Sequence, residues 1–280
     1  MDDITASELV DLVEQAGQAI LEIYDTDFAV EQKDDKSPLT AADLASHRVL
    51  VDGLRALTPD IPILSEESEA VAFDERKAWQ SYWLIDPLDG TREFVSRNGE
   101  FTVNVALIRD HQAQLGLVGV PVQGRIYFGD VSRGVALCYE RVENGDFAGE
   151  ALKPKSFSEQ DGVRLVASRS HGGEALEQFV DALSERFPNV QRRGVGSSLK
   201  LCCLAAGDAD LYPRLGPTSE WDIAAAHAVL AAAGGSVMTG DGEPLCYNTK
   251  ASLLNPDFVA VADGRFDWMN VLPAVPVDAR

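Results

Sequence analysis

The sequence predicts a mixed α+β / α/β protein, and three patterns carry that reading. Apolar residues at helical spacing mark two helices near the N-terminus. Four β-rich runs then follow one another between 101 and 140, separated by Gly, Pro or Asp. From 163 onward, strands alternate with helices. At 280 residues the chain can build one large domain or two moderate ones, each with its own core.

Leu9, Leu12, Val13, Ala16, Ile20 and Ile23 define a first helix over about 5–24. Leu50, Leu54 and Leu57 share one face of a second, over 41–57. Its entry, Thr40-Ala41-Ala42-Asp43, is a capping box with Asp in place of the usual Glu or Gln. Residues 58–60 break the helix, and 61–64 form a short strand leading to Ser65-Glu66-Glu67. The run 82–85 is aromatic and apolar and reads as a buried strand. Pro87 biases Asp86 toward extended backbone, so the strand is expected to stop at Asp86. Gly90 allows a tight turn, and Thr91 opens a short helix through Val95. Runs 101–109, 114–120, 125–129 and 135–140 make an antiparallel meander. The stretch RVENGDFAGEALKPKSFSEQDG (141–162) is polar and broken by Gly and Pro, dividing the chain into halves of 1–150 and 151–280. Strand 163–168, helix 173–186, helix 198–206, strand 209–213, helix 222–233 and strand 257–262 complete the order.

Composition narrows the function. A net charge of −21, from 24 basic and 45 acidic residues, argues against nucleic-acid partners and against attraction to anionic lipid. The acidic, amphipathic start MDDITASELVDL is no signal peptide, and the longest apolar run, 223–233, contains His227 and is too short to span a membrane. Four cysteines without a CxxC pair point to reduced thiols and a cytoplasmic setting.

The acids raise a sharper question. Glu66 follows one strand, Asp86 and Asp89 follow another in WLIDPLDGTREF, and Asp222 opens the helix WDIAAAHAVLAAAGG. Each has an ordinary alternative: a solvated face for Glu66-Glu67, turn residues for Asp86 and Asp89, a favourable helix-start charge for Asp222. Together, beside a Gly-Thr turn, they read as oxygen ligands. A set without His or Cys suits Mg²⁺ or Mn²⁺ rather than zinc.

Glu66-Glu67, then Asp86-Pro87-Leu88-Asp89-Gly90-Thr91, then Trp221-Asp222 with Ala224-Ala225, in that order, resemble the Mg²⁺-dependent, Li⁺-sensitive phosphatases of inositol monophosphatase type. The resemblance spans essentially the whole chain. It implies a layered αβαβα sugar-phosphatase fold with the site in the cleft between the halves. It also implies one Mg²⁺ held by Glu66, Asp86 and the Leu88 carbonyl, a second by Asp86, Asp89 and Asp222, and a weaker third through water on Glu66. Asp43 and Thr91 match the pair that orients and deprotonates the attacking water, although capping alone also explains Asp43. Independent physics agrees with the metals. A carboxylate about 4 Å from a phosphate charge repels it by roughly 4 kcal/mol at an effective dielectric near 20, so such a pocket needs cations to admit an anion. Backbone N–H groups at Gly90 and Thr91 can hold phosphate oxygens. A haloacid-dehalogenase reading fails on spacing, because DxDxT is required and DxxD is present.

The substrate reading rests on GVGSSLKLCCLAAGDADLYPRLG (194–216), where Arg214 stands in place of the acid that inositol phosphatases usually carry there. The blocks SPLTAAD, LSEE, SRSH, GSSLK and LYPR resemble the bacterial 3′(2′),5′-bisphosphate nucleotidases of sulfate assimilation. That resemblance implies contacts to the nucleotide and its retained phosphate from Ser197, Lys200 and Arg214, with His171 near base or ribose. It also allows a peripheral place on the inner membrane. Surface solvation is the alternative for Lys200 and Arg214, and an ordinary loop residue for His171. Turnover of inositol monophosphate or fructose 1,6-bisphosphate is the rival enzyme reading, and an acidic metal- or nucleotide-binding sensor the non-enzymatic one.

Overall fold

The computed structural model describes residues 5–27, 30–32, 38–142, 147–169 and 173–275. Helices α1 (Ala6–Tyr24) and α2 (Ala41–Leu57) pack side by side, linked through a ribbon of β1 (Val30–Gln32) and β2 (Pro38–Thr40). Next come β3 (Ile63–Ser65), α3 (Phe73–Arg76), β4 (Ser81–Asp89), α4 (Thr91–Val95), β5 (Thr102–Arg109), β6 (Gln112–Val120), β7 (Arg125–Asp130), β8 (Val135–Arg141) and β9 (Phe147–Ala151). Strands β3 to β9 form a seven-stranded sheet in chain order, antiparallel throughout except for the parallel β3–β4 pair.

The second sheet has five strands in the order β11-β10-β12-β14-β13. They are β10 (Val163–Ala167), β11 (Val190–Gly194), β12 (Leu211–Arg214), β13 (Ser236–Thr239) and β14 (Phe258–Val261), connected in part through α5 (Glu174–Arg186), α6 (Leu199–Ala205) and α7 (Glu220–Ala233). Three apolar clusters join the five layers, the middle one spanning both faces of the α6–α7 layer. Leu12, Val13 and Leu50 of α1 and α2 meet Trp83, Ile85 and Val105 on one face of the first sheet. Tyr82, Leu84 and Ala106 on its other face meet α6, α7 and the second sheet's Tyr212 and Ala260. Leu165, Leu211 and Val259 meet Phe179 of α5 beyond. Successive residues of β4 point to opposite faces, and both faces are buried, which is why its run 82–85 is apolar without alternation. The expected αβαβα layering is the observed one.

Two local differences have physical causes. Strand β4 does not stop at Asp86. It runs through Pro87 to Asp89 with a register shift, since Asp86 lies opposite Asn104 while Asp89 lies opposite Thr102. Three steps on β4 therefore face two on β5. This is a bulge, and proline, which has no N–H for the ladder, is tolerated there. The polar stretch 141–162 carries β9, and 190–194 carries β11. Both are sheet-edge strands left largely exposed, so neither shows the apolar alternation that marks a strand in sequence.

Helix α7 lies unusually close to the first sheet because Gly116 of β6 and Gly129 of β7 are cross-strand partners. A Cβ on Gly116 would sit 2.0 Å from the Ala225 carbonyl oxygen, and one on Gly129 would sit 2.4 Å from Val229 Cα. The alanines of α7 and this glycine pair form one smooth contact. Gly116→Ala is therefore expected to destabilise the fold by about 1–3 kcal/mol through overpacking, read as a lowered denaturation midpoint. An unchanged midpoint would contradict the close approach.

Candidate active site

The bulge turns the end of β4 into the floor of a cleft of about 270 Å³. Glu66, Asp86, Leu88, Asp89, Gly90, Thr91, Ser197, Lys200, Arg214 and Asp222, drawn from both sheets, all line it. Carboxylate oxygens of Glu66, Asp86 and Asp222 lie within 4.8 Å of one another. Asp89 stands beside this trio, but its Oδ2 accepts the Ser198 N–H at 2.6 Å, with Thr102 and Asn104 at 3.4 and 3.5 Å. Asp86 Oδ1 accepts the Leu88 N–H at 3.0 Å, and Ser46 pins the bulge by donating to the Pro87 carbonyl at 2.7 Å.

Burial first, and then the neighbouring acids, push the Asp86 carboxyl well above the usual range, and Asp222 responds in the same way. Burial raises Asp89 to about 6, against the pull of Lys200 and the Ser198 N–H. All three carboxyls are thus harder to ionise here than in water. A trio of oxygen donors at this spacing fits a hard divalent cation.

Asp43 caps and reaches the site at once. Its Oδ2 accepts from the Thr40 N–H and hydroxyl at 2.8 and 2.7 Å, while Thr91 Oγ1 stands 3.4 Å from Oδ1. Asp222 likewise caps α7, its Oδ2 accepting the Ser219 N–H at 3.0 Å. Gly90 has φ 89°, and a Cβ there would lie 2.2 Å from Ser197 Oγ, so glycine is required on both counts.

Lys200 and Arg214 are not surface cations. They are 6% and 8% exposed. Lys200 donates to the Val195 and Ser197 carbonyls at 3.4 and 2.6 Å, above the Tyr212 ring. Burial lowers its ammonium to about 8, although Asp89 opposes the change. Arg214 donates to the Gly216 and Pro217 carbonyls at 3.2 and 2.6 Å. Ser197, at φ 46°, turns its hydroxyl inward to the Asp89 and Glu100 carbonyls. His171 lies outside the described residues.

Sequence reasoning passed over Tyr212, Thr218 and Arg92, which also line the cleft, and Glu100, which does not. The Glu100 carboxylate accepts the Gly196 N–H and an Arg169 guanidinium N–H, each at 2.7 Å, and so fixes the loop that delivers Ser198 to Asp89. No local pattern marks such a residue.

Converging carboxylates opposite two buried cations, in a cleft between the sheets of an αβαβα frame, define a metal-dependent phosphatase. The chain belongs to the inositol monophosphatase family, whose family model matches residues 2–265. It is 43% identical over 265 residues to the 3′(2′),5′-bisphosphate nucleotidase CysQ of Escherichia coli K12, spanning 90% of this chain and 97% of that protein. It is 34% identical to the CysQ nucleotidase of Haemophilus influenzae, with 92% of each covered. The crystal structure of CysQ from Bacteroides thetaiotaomicron superposes with a TM-score of 0.81 at 36% identity, covering 95% of this chain and 100% of that one. An inositol monophosphatase of Thermotoga maritima shares the fold at a TM-score of 0.72 and 21% identity, covering 96% and 95%.

The raised carboxyls fix a sign. A group with a higher pKa in the folded than in the unfolded state contributes stability at low pH and loses it as pH rises through the folded value. Asp86, Asp89 and Asp222 therefore favour unfolding of the cation-free protein as they ionise, and a bound cation removes that penalty. The gain in melting temperature on adding millimolar Mg²⁺ should grow between about pH 5 and about pH 8. A gain that shrinks over that range would contradict the assignment.

Proposed function

We propose that this chain is a 3′(2′),5′-bisphosphate nucleotidase that hydrolyses the 3′-phosphate of adenosine 3′,5′-bisphosphate to AMP and phosphate. The observation that carries the reading is the pairing, in one cleft, of four carboxylates with two buried cations, Lys200 and Arg214. The acids need divalent cations before any phosphate can enter, and the fixed cations favour a substrate bearing a second anionic group. The nucleotidase names of relatives at 34–44% identity over nine-tenths of the chain support the same substrate.

Glu66, Asp86, the Leu88 carbonyl, Asp89 and Asp222 would hold two to three cations, Mg²⁺ by the hardness of the donors, with Mn²⁺ able to replace it. When bound, they supply Lewis acidity to the phosphate and to the attacking water. The chain's own groups do the rest. Thr91 Oγ1 accepts a proton from the water and donates its own to Asp43 Oδ1, while Thr40 holds Asp43 Oδ2. The N–H groups of Gly90 and Thr91 steady the transferred phosphoryl oxygens. The water oxygen bonds to phosphorus with its remaining proton, the bond to the ribose 3′-oxygen breaks, and that oxygen takes a proton from solvent while Asp43 gives the one it accepted back to solvent, so one water is consumed overall. Arg214 and Lys200 hold the retained 5′-phosphate. In this reading residues 1–150 supply most metal ligands, and 151–280 supply the nucleotide contacts and the last ligand. All four cysteines are free thiols, which suits a reducing cytoplasm. Among the described residues no helix is long and apolar enough to cross a membrane.

Three substrates test the reading. With Mg²⁺, adenosine 3′,5′-bisphosphate should turn over faster than inositol monophosphate or fructose 1,6-bisphosphate, and fastest release from the inositol ester would overturn the nucleotide assignment. Asp89→Asn should lower turnover more than about 100-fold while circular dichroism stays native, since it removes a ligand and not packing. Arg214→Glu should raise KM for the bisphosphate at least about tenfold more than for a simple monophosphate ester. Equal losses would mean Arg214 serves no second phosphate.

A further inference from the structure

A buried polar chain joins α3 to α7 without lining the cleft. Arg76, the last residue of α3, is 1% exposed. Its guanidinium donates to Asn248 Oδ1 and to the carbonyls of Lys250 and Ala251. Asn248 answers with its Nδ2 to the Arg76 carbonyl at 2.6 Å. The Asn248 backbone N–H points the other way and donates to both carboxylate oxygens of Glu220, at 3.0 and 2.9 Å. Glu220 is 2% exposed. Its own N–H donates to the Leu253 carbonyl at 2.8 Å, and the Asn255 side chain donates to the Ser219 carbonyl at 2.8 Å. Loop 248–255 is thereby fastened to α3 at one end and to the first turn of α7 at the other.

The placement matters because of what those two attachments carry. Arg76 belongs to the β3–β4 connection, which begins with Glu66. Glu220 precedes Asp222 by two residues on the same helical turn. Burying a guanidinium and a carboxylate costs several kcal/mol each before their partners repay it, and apolar packing at the same place is often as stable. A network of that cost, joining the two segments that hold Glu66 and Asp222, calls for a role beyond cohesion.

We propose that Arg76, Asn248 and Glu220 are positioning residues that set the separation of Glu66 from Asp222 and so tune the cation affinity of the site. The proposal rests on reading those two acids as cation ligands. It goes beyond that reading by assigning affinity to residues that touch neither cation nor substrate.

The test measures Mg²⁺ binding to the full chain by calorimetry, without substrate, alongside thermal melting in chelator. Asn248→Gly removes the side chain yet keeps a residue at ease at the φ of 55° found there. Glu220→Gln keeps the shape and loses the charge, and stands in if the first variant does not fold. Either variant should weaken Mg²⁺ binding about tenfold or more, while KM for the ester at saturating Mg²⁺ stays within about twofold. Lowered melting temperature with wild-type Mg²⁺ affinity would overturn the proposal alone and leave a purely structural brace. Absence of Mg²⁺ binding by the wild-type chain would overturn the ligand reading, and this proposal with it.

Discussion

Mutual repulsion among crowded carboxylates, Asp86 buried and Glu66, Asp89 and Asp222 half-buried, is the constraint around which this molecule is arranged. Glu66, Asp86 and Asp222 present oxygens within 4.8 Å of one another, and Asp89 stands beside them. Such a group is tolerated in three ways. It can resist ionisation, as the raised carboxyls of Asp86 and Asp222 do. It can face fixed cations, as Asp89 faces Lys200. Or it can take up divalent metal. Only the last makes the cleft attractive to phosphate. The polar scaffold nearby serves that end by holding the acids where they repel. Ser46 pins the bulge at Pro87, Ser198 orients Asp89, and Ser219 accommodates Asp222 at the start of its helix.

The layered frame supplies the rigidity this needs. Asp86 sits at a bulge in a strand buried on both faces, so its position is fixed by packing from two cores. Asp222 rides on α7, which is locked against the Gly116–Gly129 pair of the same sheet and covered by the second sheet on its far side. The acids come from distant stretches of chain, yet Asp86 and Asp222 are mounted on elements held by packing.

Much of this was legible in the sequence, and the remainder was hidden for identifiable reasons. The five-layer fold followed from the helical spacing in α1 and α2, the meander and the later alternation, read together with the DPLDGT and WDIAA blocks. Edge strands β9 and β11 were missed because exposed edges lack the apolar pattern that reveals a strand. The end of β4 was set too early, at Asp86, because Pro87 reads equally well as a strand end. The acids stood out by their company. Burial of Lys200 and Arg214 was invisible, because a cation's default reading is solvation and its carbonyl partners are set by the loop's path. Arg76, Asn248 and Glu220 were beyond reach, since Arg76 and Asn248 stand 172 residues apart and the network depends on where one loop lands.

The central claim is that these carboxylates share cations. Mn²⁺, with its strong anomalous scattering, makes the most direct probe. Crystals of the full chain soaked in Mn²⁺ should show anomalous peaks about 2.0–2.3 Å from oxygens of Glu66, Asp86 and Asp222, with Asp89 turning to join them. Peaks elsewhere, or a cleft without any at saturating Mn²⁺, would contradict the account.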